Sequence, residues 1–341
     1  MAKHVSDPEL HTLAEALVDD PRPTLVWGER TAPLRELLPA GYPARYFTDD
    51  LLTGRELGCP IGVVPELAGE SRVALVMPRA KALLEMRVAL SAGLLPPEGE
   101  LWVAGHQQDG VKSAEGLLDA VGVPGTTHVI HLKRRCRVVA TTLDPGRERQ
   151  APDLERFEQR VAVSTAAGAY DLVTLPGVFG HGRVDAASAA LLEVLDAREP
   201  GYRRALDVGC GGGLLGAWLA KKRSRAQVDL LDVSAVACAA TRRTFAVNGL
   251  VGEVHLREVG DLPKASWDLV VSNPPRHTGR EHAHQLTARV IDDAAWRLGR
   301  GGRFICVANH AKTVTEALER NFREVEVAHH APAFRVWDCT R

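Results

Sequence analysis

Apolar residues in this chain come in short runs, separated by stretches with helical spacing. In the first half the runs at 24–27, 44–47, 73–77 and 100–104 predict strands, and 78–92 and 113–121 predict helices. In the second half the alternation is more regular. Strand 203–208 leads to helix 214–221, strand 228–232 to helix 235–247, and Asn248-Gly249 stops that helix. Strands at 253–259 and 267–272 follow. A helix over 283–298 then ends in Gly299, Gly301 and Gly302, before strand 303–308 and helix 313–321. The last two strands, 324–329 and 334–338, leave no room for a crossover helix, so they pair as a hairpin and make the sheet mixed. A second hairpin is expected from 161–164 and 170–174, followed by a helix from Val184-Asp185 through Leu195. Strands alternating with helices predict α/β domains with helices on both faces of a sheet.

The length of 341 residues suits two such domains. Asp144-Pro145-Gly146, Pro152 and a high density of charge place the linker within 141–160, giving expected domains 1–150 and 151–341. The two halves share an order: an apolar run ending in proline, a helix, a glycine turn, then Val-Ala-x-His. It appears at 73–78 with 97–106 and again at 269–274 with 301–310. This reads either as an internal duplication whose first copy lacks a glycine-rich cofactor turn, Trp27-Gly28-Glu29-Arg30 being the nearest candidate, or as the general likeness of any two α/β domains.

Composition narrows the setting. Hydrophobic residues at 45% and charged residues at 25% are those of a globular protein. No apolar run reaches the ~18 residues of a membrane helix, and the polar start Ser6-Asp7-Pro8-Glu9 predicts no signal peptide. Six cysteines without a C-x-x-C pair read as reduced thiols, so the expected compartment is the cytoplasm. A net charge of −1 means that nucleic-acid binding would rest on a local patch. The run Lys133-Arg134-Arg135-Cys136-Arg137 is one candidate for phosphate contact, or else a solvated strand edge.

The chemistry concentrates between Arg204 and Asn273. Asp207-Val208-Gly209-Cys210-Gly211-Gly212-Gly213 lies between a buried strand and a helix, where residues without a Cβ let backbone amides approach a ligand. A dinucleotide fingerprint, G-x-G-x-x-G, would put its third glycine at Leu214, so the spacing disfavours it. The pattern resembles motif I of class I methyltransferases, which bind S-adenosylmethionine. On that resemblance Gly209, Gly211 and Gly213 line the methionine moiety, Asp232 takes the ribose hydroxyls, and Asp207, Cys210 and Asn273 belong to the same cofactor site. Val233 and Val259, with Glu258, flank the adenine, and Phe179 covers the ligand. All these segments end strands, where ligands of open α/β sheets bind.

Asn273-Pro274-Pro275 follows the fourth strand of this half. The Asn273 side-chain oxygen and the Pro274 carbonyl are suited to accept hydrogen bonds from an amine or amide nitrogen, and two prolines stiffen the loop. Such a site works by positioning and electrostatics, with no metal expected.

Leu175-Pro176-Gly177-Val178-Phe179, 206–213, Asp232-Val233-Ser234 and Ser272-Asn273-Pro274-Pro275 together resemble the bacterial small-subunit ribosomal RNA guanine-N2 methyltransferases of the RsmC type. Gly105 and 110–115 resemble a segment of that family's degenerate first domain. The resemblance implies two tandem Rossmann-like methyltransferase domains, the N-terminal one degenerate. The C-terminal one would have a mixed seven-stranded sheet ending in a β-hairpin. It also implies S-adenosylmethionine as cofactor and a guanine of 16S rRNA, within the small ribosomal subunit, as substrate, with a monomer favoured. The family usually has an aromatic residue after Asn-Pro-Pro, and this chain has Arg276, whose guanidinium plane can also stack on a base. His277 and Arg280 are further candidates for RNA contact. Two other readings stay open. Asn-Pro-Pro also marks enzymes that methylate a glutamine amide in release factors, although their extra domain is a helical bundle. A non-catalytic, cofactor-dependent RNA-binding assembly factor is the other.

Overall fold

The computed structural model describes residues 7–146, 151–262, 267–274, 280–309 and 311–341, the side chains of 280–283 excepted. The chain divides into two compact units, 1–157 and 158–341.

The first unit runs α1 (Pro8–Asp19), β1 (Thr24–Trp27), α2 (Leu34–Leu37), β2 (Ala44–Phe47), α3 (Leu51–Leu57), β3 (Arg72–Val76), α4 (Lys81–Leu94), β4 (Glu100–His106), α5 (Ala114–Asp119), β5 (His128–Lys133) and β6 (Cys136–Thr142). Its sheet has the order β2-β1-β3-β4-β6-β5, parallel as far as β4, with β6 antiparallel to both neighbours.

The second unit begins with a separate hairpin, β7 (Gln159–Thr165) and β8 (Gly168–Thr174). It continues with α6 (Ala186–Arg198), β9 (Arg204–Val208), α7 (Leu214–Lys222), β10 (Gln227–Asp232), α8 (Ala235–Val247), β11 (Glu253–Leu256), β12 (Trp267–Ser272), α9 (Arg280–Arg297), β13 (Leu298–Ala308), α10 (Lys312–Asn321), β14 (Glu324–Ala331) and β15 (Phe334–Thr340). Its seven-stranded sheet has the order β11-β10-β9-β12-β13-β15-β14. The terminal hairpin inserts β15 antiparallel between β13 and β14, so the sheet is mixed, as expected.

Strip β11 from this order and the first sheet remains, strand for strand and direction for direction. The fold is therefore two tandem Rossmann-like units, and among the described residues the first lacks one edge strand. Even the opening of the turn after the first strand is shared. Gly28 N–H donates to the Phe47 carbonyl at 3.3 Å, and Gly209 N–H to the Leu231 carbonyl at 2.9 Å. Past Gly28 the two diverge. Arg87 of α4 is fully buried and reaches Asp49 at 2.6 Å and Glu29 at 3.3 Å, at the carboxyl ends of β1 and β2.

Strand alternation splits the core of the second unit between two faces. Ala205, Leu269, Val271, Ile305 and Val307 point to one face, where Leu191, Leu214 and Trp218 of α6 and α7 cover them. Leu206, Val208, Val270, Phe304 and Cys306 point to the other, under Ile291 and Ala294 of α9 and Val314 and Leu318 of α10. Helices on both faces leave the carboxyl ends of the strands as the open edge.

The structure corrects several boundaries. The strand expected over 253–259 stops at Leu256, and Val259–Asp261 form a 3-10 turn. β13 starts at Leu298, not 303. The glycine run joins it because Gly301 N–H donates to the Arg341 carbonyl, while Gly302 accepts from Arg341 N–H, each at 3.0 Å. The run 133–137 is a hairpin turn between β5 and β6. Lys133 and Arg134 pair with Glu15 at 2.8 and 3.2 Å, and Arg137 with Glu115 at 2.9 Å. Lys133, with His131 and Arg134, holds the Glu15 carboxyl down at about 2.

Candidate active site

The strand order of the second unit reverses between β9 and β12, and a cavity of about 370 Å³ opens at their carboxyl ends, the place where such sheets bind ligands. The turn after β9 forms its floor. Gly209, Gly211 and Gly213 all adopt positive φ, at 71°, 57° and 85°. Gly212 has a different reason to be glycine: a Cβ there would sit 3.1 Å from Leu172 Cδ1 and from the Val173 carbonyl oxygen.

The turn is tied down from three sides. Gly209 and Cys210 both donate to the Leu231 carbonyl. From α8, Thr241 Oγ1 donates to the Gly211 carbonyl at 2.9 Å and Thr244 Oγ1 to the Gly212 carbonyl at 2.7 Å. Asp232, at the end of β10, accepts from Gly211 N–H at 3.0 Å and from Ser234 N–H at 2.9 Å. Its carboxylate is thereby oriented before any ligand arrives, beside half-buried Val233. Ser234 caps α8 through Ala237 N–H.

Asp207 lies behind the turn. It is 1% exposed, and its Oδ2 accepts from Gly216 N–H at 2.9 Å. Burial pushes its carboxyl up to about 7, against the pull of that hydrogen bond. Burial likewise raises the Cys210 thiol well above its usual range, which makes it a packing group rather than a nucleophile.

Of the residues expected at the cofactor site, Phe179, Gly209, Cys210, Gly211, Asp232, Val233, Glu258, Val259 and Asn273 share the wall of this one cavity. Pro274 is there too, whereas Asp207 and Gly213 are not on the wall. Phe179 is 51% exposed, on a loop between Gly177 and Gly180, both of positive φ. Glu258 lies 3.6 Å from Arg289 of α9. Pro275, Arg276 and His277 lie outside the described residues, as does the Arg280 side chain. His284, on the same helix, bonds Asn309 at 2.7 Å.

Asn273 closes the far end of the cavity. Its Nδ2 donates to Ser188 Oγ at 2.8 Å, and its Oδ1 is buried with no hydrogen-bond partner among the described residues. Ser188 and Asp185, from the start of α6, line the same cavity. Neither was singled out from the sequence. Asp185-x-x-Ser188 is legible there as a helix start, but its contact with a residue 85 positions away is not.

Among the described residues one trio of possible metal ligands comes together, Asp229, Glu253 and His255, outside the cavity wall. Asp229 already accepts from Trp267 Nε1 at 2.8 Å.

A glycine turn at the switch point, an oriented acid on the next strand and an acceptor amide after the fourth define a Rossmann-like methyltransferase. Residues 169–338 match the family described as Methyltransferase small domain, and 62–159 match Methyltransferase small domain N-terminal. The chain is 35% identical over 284 residues to the ribosomal RNA small subunit methyltransferase C of Pseudomonas entomophila, covering 83% of each chain. Identity to the protein of the same name from Pseudomonas aeruginosa is 34% over 267 residues, 78% of each. The chain belongs to the ribosomal RNA small subunit methyltransferase C family. A T. thermophilus 16S rRNA N2 guanine methyltransferase (RsmC), solved with AdoMet and guanosine, shares the fold. The TM-score is 0.82 at 23% identity, covering 99% of this chain and 93% of that one.

Proposed function

We propose that this protein transfers the methyl group of S-adenosylmethionine to the exocyclic N2 amine of a guanine in 16S rRNA. The observation that carries this reading is the buried, unpartnered Oδ1 of Asn273 on the wall of a cavity that also holds the glycine turn and Asp232. A buried acceptor left without a donor among the described residues is a place for a substrate N–H.

The cavity suits the cofactor. Gly209 to Gly212 offer a surface without side chains apart from Cys210, Asp232 offers an oriented carboxylate for a diol, and Val233 and Val259 offer apolar flanks. S-adenosylmethionine supplies an electrophilic methyl group on a sulfonium. The protein supplies position. Asn273 Oδ1 and the Pro274 carbonyl each accept one N–H of the guanine amine, which fixes the direction of its lone pair. Those acceptors also stabilise the positive charge that grows on the nitrogen as the new C–N bond forms, and the surplus proton then passes to water. The guanine must leave its helix to enter, and on the family resemblance Arg276 is the residue proposed to stack on it and Arg280 the one proposed to hold a phosphate. No helix among the described residues is long and apolar enough to cross a membrane. A small-subunit substrate places the enzyme with ribosomes in the cytoplasm.

The test is nucleoside mass spectrometry of 16S rRNA from a deletion strain, with purified protein added back to its small subunits. One N2-methylguanosine should be missing and should return. Loss of methyl-glutamine in a release factor, with rRNA unchanged, would refute the reading.

A further inference from the structure

An amide side chain can turn over by 180° with almost no change of shape, exchanging acceptor for donor. Only one orientation of Asn273 serves the reaction. We propose that Asp185 and Ser188 form a positioning relay that fixes that orientation. The proposal rests on the reading of Asn273 as the acceptor of the substrate amine.

Asp185 starts α6, its Oδ1 accepting from Ala187 N–H at 3.0 Å and Ser188 N–H at 3.3 Å. Its Oδ2 bonds the Ser188 hydroxyl. A carboxylate only accepts, so the single hydroxyl proton of Ser188 is committed to Asp185. What Ser188 has left is a lone pair, and the group facing it at 2.8 Å must donate. That group is Asn273 Nδ2. Turning the amide over would set oxygen against oxygen with no proton between them. Ser188 is 8% exposed, so water offers little relief. The polarity runs in one direction, from the Asp185 carboxylate through Ser188 to Asn273 Oδ1. The roles assigned to Asp185 and Ser188 are to position Asn273, not to meet a reacting atom.

The rival explanation is that Asp185 merely caps α6. Asp185→Asn separates the two, because asparagine caps helices as well as aspartate does. The new amide keeps its oxygen on the cap and points N–H at Ser188, which frees the Ser188 proton to donate to Asn273. The Asn273 amide then turns over and presents N–H to an amine. With full-length protein and small ribosomal subunits, kcat should fall about 100-fold, the scale of losing one preorganised partner of the transition state. The melting temperature should hold within about 2 °C and the affinity for S-adenosylmethionine within about 3-fold, since the cap survives. D185N/N273D reverses every hydrogen bond and restores an acceptor, so its kcat should exceed that of either single variant by about 10-fold. Wild-type kcat in Asp185→Asn would overturn the relay. So would losses that merely track melting temperature, or a double variant no better than the single ones. A readout independent of the RNA is exchange of the Asn273 Nδ2 protons, seen by selective asparagine labelling. It should quicken roughly 10-fold in Ser188→Ala, and equal rates would overturn the relay. If wild-type protein methylates no small-subunit RNA while the exchange result holds, the proposed substrate fails and the relay stands.

Discussion

Asp207 is a carboxyl group held where a charge is poorly tolerated. Its folded value of about 7 lies above the ordinary 3.8, so between these values the folded protein binds more proton than the unfolded chain. Stability is therefore greatest below about pH 4 as far as this group is concerned, and its contribution is lost as pH rises through about 7. Asp207→Asn should flatten that decline in denaturation curves taken across the window, and an unchanged slope would show that another group causes it. Asp232 is a carboxylate already oriented by two amides. Asp232→Ala removes the proposed ribose partner and also releases Gly211 and Ser234 N–H. Calorimetry should show S-adenosylmethionine binding weakened by about 1–3 kcal/mol. At Gly216 the constraint is steric. A Cβ there would fall 2.0 Å from Leu230 Cδ2, so Gly216→Ala should cost about 1–3 kcal/mol of stability in urea titrations. Of these residues, Asp207 and Asp232 were legible in the sequence through spacing to the glycines. Gly216 was not, since a glycine inside a helix does not announce which neighbour fills its place.

At the scale of elements, α8 does more than cover the sheet. Thr244 accepts from Val173 N–H at 2.9 Å and donates to Gly212, so one helix fastens both the β7–β8 hairpin and the glycine turn. Thr244→Val leaves that N–H and carbonyl buried without partners. Stability should fall by about 1–3 kcal/mol, measured as a lower denaturation midpoint. The parallel strands were readable because they are buried on both faces and so nearly all apolar, as Leu25, Val26, Val73–Val76 and Val270-Val271 show. β5 escaped for the converse reason. His128–Lys133 is an edge strand with exposed residues at both ends, and its turn is made by Arg134 and Arg135 at φ 52° and 62°, where glycine or asparagine would have given the signal. Helix α1 also went unpredicted, although it carries an apolar stripe at Leu10, Leu13, Ala14 and Leu17. The glycines of 299–302 read as a stop because their pairing partner, Arg341, lies at the other end of the unit's sequence.

Across the whole molecule, two units share a strand order and differ at one end of it. We propose that only the second binds cofactor. Titration of the full chain should therefore give one equivalent of S-adenosylmethionine, and two would show a working site in each unit. The buried Arg87–Asp49 pair gives a further expectation. Arg87→Met strands a carboxylate and should cost about 3–5 kcal/mol, while Arg87→Met with Asp49→Leu should cost far less. Denaturation of the two variants and of Asp49→Leu alone measures the difference.

That pair also bears on history. A cleft once filled by two groups of opposite charge cannot be cleared one group at a time, because each single change leaves a lone charge out of water. The intermediate is less stable than either end. The edge strand that the first sheet lacks among the described residues would have to be gained separately. Drift can carry such a domain into its plugged form and then finds no short way out. The exchange behaves as a ratchet, and a first unit in this position stays without a cofactor site of its own.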